Sequence, residues 1–300
     1  MKKSQTPIIL YSLLILAMAS WGLSWSNAKV LGQYAPATVL IFWRFLLSSI
    51  AMIPVVILNE QNLSISKKGF GFAIGGAIFI SLYNFLFFIG THIGSAGIGG
   101  VIVPTMNPIL TFIGSVFIFR QVFLKKDIYG LLLGLIGGCI VLRVWDFSFD
   151  QITQSGNTYF VLASVCWAGL TLISSRSHYV IQTLTFSFWV YFISAIFYFP
   201  FITQYDWMSV FKTEWIFWFH MISVSIGAMV FGTTIYFIGT TKLGSEKASA
   251  FIFTVPLTAI LFSIIILDEP VEMSTIVGGI LAMTAVYLIN KKHAQSEPVD

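Results

Sequence analysis

The sequence predicts an all-α integral membrane protein of ten transmembrane helices, arranged as two inverted five-helix repeats. Composition, apolar segments and an internal repeat predict this fold class. Of the 300 residues, 57% are hydrophobic and only 9% are charged, whereas a typical soluble domain has about 25% charged residues. Mean hydropathy is +0.89. A soluble fold of this length could not bury so much apolar surface, so lipid is the expected solvent.

Ten segments are apolar over a length that can cross a bilayer, which takes about 20 residues in a helix. In chain order they are 8–28, 37–58, 70–91, 97–119, 128–144, 157–175, 184–203, 215–239, 248–267 and 274–290. The polar joints between them are too short for a soluble domain. The lipid bilayer is therefore a predicted partner, and any function must operate within the membrane.

Basic residues predict the orientation of these spans. With the amino terminus in the cytoplasm, three of the 16 Lys and Arg residues fall outside (Lys29, Arg143 and Lys212) and Arg44 lies within a span. The other twelve fall on the cytoplasmic side, as the positive-inside rule requires: Lys2, Lys3, Lys67, Lys68, Arg120, Lys125, Lys126, Arg176, Lys242, Lys247, Lys291 and Lys292. We therefore predict that both termini are cytoplasmic. The short loops and tails favour a bacterial cytoplasmic membrane, and the scattered basic residues predict no nucleic-acid partner.

An internal repeat links the two halves of the chain. A shift of 146 residues places 16–54 on 162–200 without a gap, and the identities include Trp21/Trp167, Trp43/Trp189, Ser48/Ser194 and Pro54/Pro200. Five spans per half is an odd number, so the second half would enter the membrane from the opposite side. Inverted repeats of this kind recur in secondary transporters. The predicted units are 1–146 and 147–293, followed by a polar tail at 294–300.

The order of short motifs resembles one group, the drug/metabolite transporter superfamily, in its ten-helix EamA-type branch. The motifs are Trp21-Gly22 in the first span, a turn led by Pro36 into the span with Arg44-Phe45, the small residues before Pro108, and the runs Pro108–Gln121 and Pro256–Pro270, each followed by a glycine-rich span. The family often has Glu where Gln121 stands, whereas Glu269 fills the matching place in the second half. The resemblance implies a central cavity lined by spans such as the fourth and the ninth.

Arg44 is the first candidate substrate-binding residue. It lies about seven residues into the second span, and its counterpart in the other half is Val190. A guanidinium at that depth costs several kcal/mol unless it reaches water, a counter-ion or a polar cavity. Two interpretations are open: Arg44 faces a central cavity and attracts a carboxylate or other anion, or it reaches the outer interface or backbone carbonyls.

Three prolines are predicted to interrupt spans that border the cavity. Pro104 and Pro108 fall in the fourth span and Pro256 falls in the ninth. A proline removes a helix hydrogen bond and frees a carbonyl, which lipid tolerates only beside protein or a wet cavity. Asn107 is the polar side chain beside the break. A simple structural kink is the alternative.

Aromatic and amide side chains within spans complete the predicted substrate-binding set. Tyr83, Asn84, Trp21, Trp167 and Tyr236 could stack on or hydrogen-bond to an organic substrate. Lipid contact and helix packing are the alternative roles. Two glycine patterns predict close helix packing, and they are Gly71-x-x-x-Gly75 and Gly130-x-x-x-Gly134-x-x-x-Gly138.

No Asp or Glu falls deep in any predicted span. This disfavours the buried carboxylate relay of many proton-driven pumps. His220, about five residues into the eighth span, could titrate in its place or could be an interfacial polar residue.

The sequence predicts no catalytic residue, cofactor or metal site. Cys139 and Cys166 are isolated, and no His-Glu-x-x-His, nucleophile elbow or pair of aspartates within spans occurs. We therefore predict a secondary transporter of small metabolites, amino-acid-like compounds or drugs, working as an exporter by alternating access, as a monomer or homodimer. A channel-like facilitator and an intramembrane enzyme are the alternatives. Asn107-Pro108 is a motif that water channels also use, but Val255-Pro256 in the second half lacks the Asn.

Overall fold

The part of the chain that the structure describes is helical apart from short turns and loops. The structure is a computed structural model, and it describes residues 5–93, 96–120, 124–141, 143–146, 148, 155–258, 262 and 273–290. The helices are α1 Gln5–Leu31, α2 Ala37–Leu58, α3 Lys67–Ile93, α4 Ala96–Phe119, α5 Lys125–Val141, α6 Ser155–Ser177, α7 Thr183–Ile202, α8 Trp215–Leu243, α9 from Ser245 to the end of the described stretch at 258, and α10 Met273–Asn290. The tail at 294–300 lies outside the described residues.

Seven helices within the described residues are long and apolar enough to cross a membrane. They correspond to α1, α2, α3, α4, α6, α7 and α8. The other three predicted spans coincide with α5, α9 and α10, whose described apolar parts are shorter than 18 residues. The all-helical membrane fold is therefore confirmed at the level of seven spans, and the count of ten stays a prediction.

The boundaries of α2 illustrate why these segments become helices of this length. Pro36 precedes the first helical residue, and its fixed φ and missing N–H suit the start of a helix. The helix ends at Asn59 after 22 residues, about 33 Å at 1.5 Å per residue. That length matches the hydrocarbon core of a bilayer, which is about 30 Å thick.

The most extensive helix contacts join the first five helices to the last five. α5 packs on α10, α3 and α4 pack on α6, and α2 packs on α7. α1 packs mainly on α8. The two halves are therefore interleaved, and the central space of the bundle has walls from both.

The middle of α8 departs from the plain helix that its apolar sequence predicts. Residues Ser223–Thr233 form a π-helix, a wider turn that is rare and frequently lies at functional sites. Neighbouring helices donate side-chain hydrogen bonds to its carbonyls: Ser48 to Ser225 O at 3.1 Å, Trp21 to Ala228 O at 3.1 Å and Tyr191 to Met229 O at 3.0 Å. These donors satisfy backbone acceptors that lipid could not.

The glycines of α5 confirm the prediction of close packing. A Cβ at Gly130 would lie 2.5 Å from Ile289 of α10, and one at Gly134 would lie 2.4 Å from Phe253 of α9. The same prediction is wrong for Gly71, where no described atom lies within 4 Å of an added Cβ. In α3 only the second glycine of the pattern packs closely, since a Cβ at Gly75 would lie 3.2 Å from Ile173 of α6.

We expect Gly137→Ala to destabilise the fold by about 1–3 kcal/mol, the usual cost of overpacking. An added Cβ would lie 2.9 Å from Gly278 O and 3.0 Å from Ala282 N, and these backbone atoms of α10 cannot rotate away. The measurement is the thermal unfolding midpoint of the purified protein in detergent. Gly71→Ala is the matched control, and equal midpoints for the two variants would contradict this packing.

Candidate functional site

A central cavity lies between the helices of both halves. Its wall carries ten aromatic or apolar residues, one cation and three further residues with a hydroxyl or amide group. The lining residues are Trp21, Ser24, Trp25, Arg44, Tyr83, Phe87, Val103, Pro104, Asn107, Trp167, Met229, Thr233, Ile252 and Val255. Five of the predicted binding residues are therefore brought together: Trp21, Arg44, Tyr83, Asn107 and Trp167.

Helix periodicity explains why these side chains share one wall. On α1, Trp21 and Trp25 are four residues apart, and on α3 the same spacing separates Tyr83 from Phe87. Residues four apart lie on the same face of an α-helix, one turn above each other. Two aromatic pairs on facing helices therefore form a continuous ring surface along the cavity.

Arg44 is the only cation in the described wall of the central cavity, and it is 6% exposed. Its Nη1 donates to Asn84 Oδ1 over 2.8 Å, and Asn84 is held in turn by a bond from its Nδ2 to Ile80 O. The Nε of Arg44 is buried and has no hydrogen-bond partner in the described structure. An unpaired charged donor in an apolar wall is costly, and an anionic group in the cavity would satisfy it.

The predicted interpretation in which Arg44 reaches the interface or backbone carbonyls finds no support in this geometry. Its described partner is the Asn84 side chain, and its guanidinium borders the cavity. No Asp or Glu belongs to the described lining. The site therefore presents one positive charge without a carboxylate beside it.

The aromatic residues contact one another closely. Trp21 and Trp167, which the internal repeat makes counterparts, have ring centroids 4.9 Å apart at 86°. Tyr83 lies 4.5 Å from Trp167. The Nε1 of Trp167 is buried without a hydrogen-bond acceptor among the described residues. Edge-to-face contacts of this kind hold the rings rigidly, which leaves a preformed apolar surface beside Arg44.

Asn107 lines the central cavity from α4 and is fully buried. Its Nδ2 donates to Ser164 O at 3.4 Å, and its Oδ1 accepts from Thr111 at 3.4 Å. Both bonds are long, so a stronger partner in the cavity could replace them.

The helix α4 continues through Pro104 and Pro108. The role of these prolines as breaks that line the cavity stays a prediction. Pro104 borders the cavity, whereas Pro108 does not. In α9 the backbone tightens to a 3₁₀ turn at Phe251–Thr254 before Pro256, and Val255, not Pro256, reaches the cavity.

Two further predicted binding residues lie behind the wall. Asn84 supports Arg44 and does not line the cavity. Tyr236 is fully buried, with its hydroxyl 2.8 Å from Thr171 Oγ1 and its ring packed on Trp21.

Several lining residues were missed by the sequence analysis. Trp25 and Phe87 could have been found, since each lies one helical turn from a predicted residue. Met229 and Thr233 reach the cavity from the π-helical part of α8, and no sequence signal predicts that segment.

His220 does not line the central cavity. Its Nδ1 lies 2.7 Å from Asn27 Oδ1, and because an amide oxygen only accepts, His220 donates this bond. Asn27 donates in turn to Ser223 Oγ at 2.8 Å. The cluster ties α1 to the start of the π-helix, and His220's part in proton coupling stays a prediction. Gln121 and Glu269 lie outside the described residues.

Comparison with known proteins identifies the family. The sequence profile of the EamA-like transporter family matches residues 8–143 and again 154–291. The chain belongs to the EamA-like transporter family. This confirms the resemblance seen in the sequence motifs and the expectation of a membrane transporter instead of an enzyme.

Relatives named as transporters are similar to this chain over nearly its whole length. The uncharacterized transporter YvbV of Bacillus subtilis (strain 168) is 24% identical over 97% of this chain and 93% of its own length. An uncharacterized transporter of Archaeoglobus fulgidus is 22% identical over 94% of this chain and 98% of its own length. A crystal structure of another protein superposes with a TM-score of 0.74 at 17% identity, covering 93% of this chain and 96% of that one, and so shares the fold.

Proposed function

We propose that this EamA-like transporter is a secondary transporter that exports small organic molecules with a carboxylate and an aromatic or apolar body, such as amino-acid-like metabolites or drugs. It works by alternating access in a bacterial cytoplasmic membrane. The single observation that carries the substrate class is the Arg44 guanidinium, buried in an aromatic wall with a donor left over. A carboxylate accepts charge-assisted bonds from such a group, and the rings accommodate the apolar remainder of the substrate.

Reciprocal hydrogen bonds support the proposal of two inverted five-helix units. Trp43 donates from α2 to Trp207 O in the loop after α7, and its counterpart Trp189 donates from α7 to Leu63 O in the loop after α2. In a two-fold arrangement each contact occurs twice. If residue i of the first unit contacts region j of the second, the equivalent of i in the second unit contacts the equivalent of j in the first.

The serine pair repeats this reciprocity. Ser48 donates from α2 to Ser225 O in α8, and its counterpart Ser194 donates from α7 to Ala77 O in α3. The two separate matches to the family profile, at 8–143 and 154–291, support the same division. Two related units can exchange inward-open and outward-open arrangements of nearly equal energy, which alternating access needs.

Flux measurements in proteoliposomes test the proposed function. Three probes share the phenylalanine side chain and differ in charge through their amino and carboxyl substituents: N-acetylphenylalanine (anion), N-acetylphenylalaninamide (neutral) and phenylalaninamide (cation). We expect saturable transport of the anion, faster when the same compound is present on the opposite side, and slower transport of the cation. Transport that neither saturates nor accelerates in this way would indicate a channel, and chemical change of the probe would indicate an enzyme.

Direction is tested in cells. We expect cells that produce the protein to lose preloaded N-acetylphenylalanine faster than cells that produce the Arg44→Gln variant. Faster accumulation from the medium, without faster loss, would contradict export.

A further inference from the structure

A second cavity lies at the end of the bundle where α1 ends, α2 begins and α3 ends. It is open to the surface, because Lys29, Gln33 and His92 in its lining are exposed, and we call it the end cavity. Its polar groups come from the last turn of α1 (Lys29), the turn after α1 (Gln33) and the last turn of α3 (Thr91 and His92). The predicted orientation places this end of the bundle on the outer face of the membrane.

The end cavity and the central cavity are consecutive along the same two helices. On α1, Trp25 borders the central cavity and Lys29 borders the end cavity. Four residues at 1.5 Å per residue separate the two by about 6 Å along the helix axis. On α3 the change occurs between Phe87 and Phe88, which border the central and the end cavity respectively.

Aromatic rings separate the two cavities. Trp25 and Phe87 have ring centroids 4.7 Å apart at 62°, and Phe87 and Phe88 have centroids 5.4 Å apart at 90°. Passage from one cavity to the other requires displacement of these side chains, with no break in either helix.

The end cavity carries the same sign of charge as the central one. Lys29 and His92 are the ionisable side chains in its described lining. Neither ion pair formed between described residues involves Lys29. The His92 ring packs against Gly32, and its Nδ1 would lie 3.4 Å from a Cβ added at that glycine. An ammonium, an imidazole, a hydroxyl and an amide therefore line one open space, and no carboxylate belongs to its described lining.

We propose that the end cavity is a second carboxylate-binding station on the transport path, in which Lys29 attracts the anion and His92, Thr91 and Gln33 offer hydrogen bonds. The substrate passes between this station and Arg44 by displacing the Trp25–Phe87 pair. The identity of the occupant rests on the proposed function, whereas the first test below does not.

A thiol-reactivity measurement tests the electrostatics of the end cavity without any substrate. Gln33→Cys is introduced with Cys139→Ala and Cys166→Ala, and the purified protein is treated with a sulfonate-bearing (anionic) or a trimethylammonium-bearing (cationic) methanethiosulfonate. We expect Lys29→Gln with His92→Gln to lower the anionic-to-cationic rate ratio about tenfold, because a lined cavity raises the local concentration of the opposite charge.

The matched control is Gln204→Cys, an exposed glutamine just beyond α7. Its rate ratio should not respond to the Lys29 and His92 changes. An unchanged ratio at Gln33→Cys, or an equal fall at both cysteines, overturns the proposed station.

Transport kinetics test whether the station lies on the path. In the Lys29→Gln, His92→Gln variant we expect the KM for N-acetylphenylalanine to rise several-fold and the KM for the neutral amide to rise less, because the amide loses hydrogen bonds but no ionic attraction. Equal changes for the acid and the amide overturn the station. If the wild-type protein transports neither compound, the proposed function fails, and the rate ratio at Gln33→Cys still decides whether the end cavity attracts anions.

Discussion

Replacement of Arg44 by Gln is expected to lower the initial rate of N-acetylphenylalanine transport about 100-fold at sub-saturating concentration. Hydrogen bonds to a charged group are worth about 1.5–3 kcal/mol, and 1.4 kcal/mol corresponds to a factor of ten. Gln retains an amide donor for Asn84 Oδ1, the present partner of Arg44 Nη1. The substitution therefore removes the charge while preserving the contact between α2 and α3.

The neutral amide is the control for this prediction. It has no carboxylate for the guanidinium, so its transport should change less than twofold in Arg44→Gln. Arg44→Lys keeps the charge and loses the planar fork of donors, and an intermediate rate is expected for the acid. Membrane insertion should stay intact in both variants, as judged by yield and by elution as a single species.

An equal loss for the acid and the amide would assign Arg44 a structural role. In that case its bond to Asn84 would serve to fix α2 against α3, and the unpaired Nε would have no ligand. The sequence analysis left these two interpretations open, and the acid-to-amide ratio decides between them.

The fold and the centre of the site were predictable because the informative residues are rare in their context. Arg44 is a lone cation in an apolar span, and Trp21 and Trp167 recur at one spacing in both halves. Trp25 and Phe87 were missed among 9 Trp and 29 Phe, although each lies four residues from a predicted residue and so on the same helix face.

Helix rotation also explains the residues placed wrongly. Tyr83 and Asn84 are adjacent in sequence, so their side chains point about 100° apart, and only Tyr83 can border the cavity while Asn84 lies beside Arg44. Met229 and Thr233 were not predictable, because the π-helix depends on donors from three other helices and not on its own sequence.

Trp167→Leu is expected to raise the KM for N-acetylphenylalanine about five- to tenfold, with a small change in kcat. An aromatic contact is worth about 0.5–1.5 kcal/mol beyond the area it buries, and Trp167 presents its ring and an unpaired Nε1 at the cavity. Trp167→Phe keeps a ring and loses the donor, so a smaller rise is expected. N-acetylalanine, an acid without the ring, should show little change in either variant.

Trp189→Leu is the matched control, since Trp189 donates to Leu63 O and does not line the cavity. It should leave the preference for the aromatic acid unaltered. In the double variant with Arg44→Gln, the two effects should be nearly additive if the carboxylate and the ring bind separate parts of the wall. Transport of N-acetylphenylalanine and N-acetylalanine could instead fall equally in Trp167→Leu. That result would mean that Trp167 shapes the cavity through its contact with Trp21 and does not bind the substrate ring.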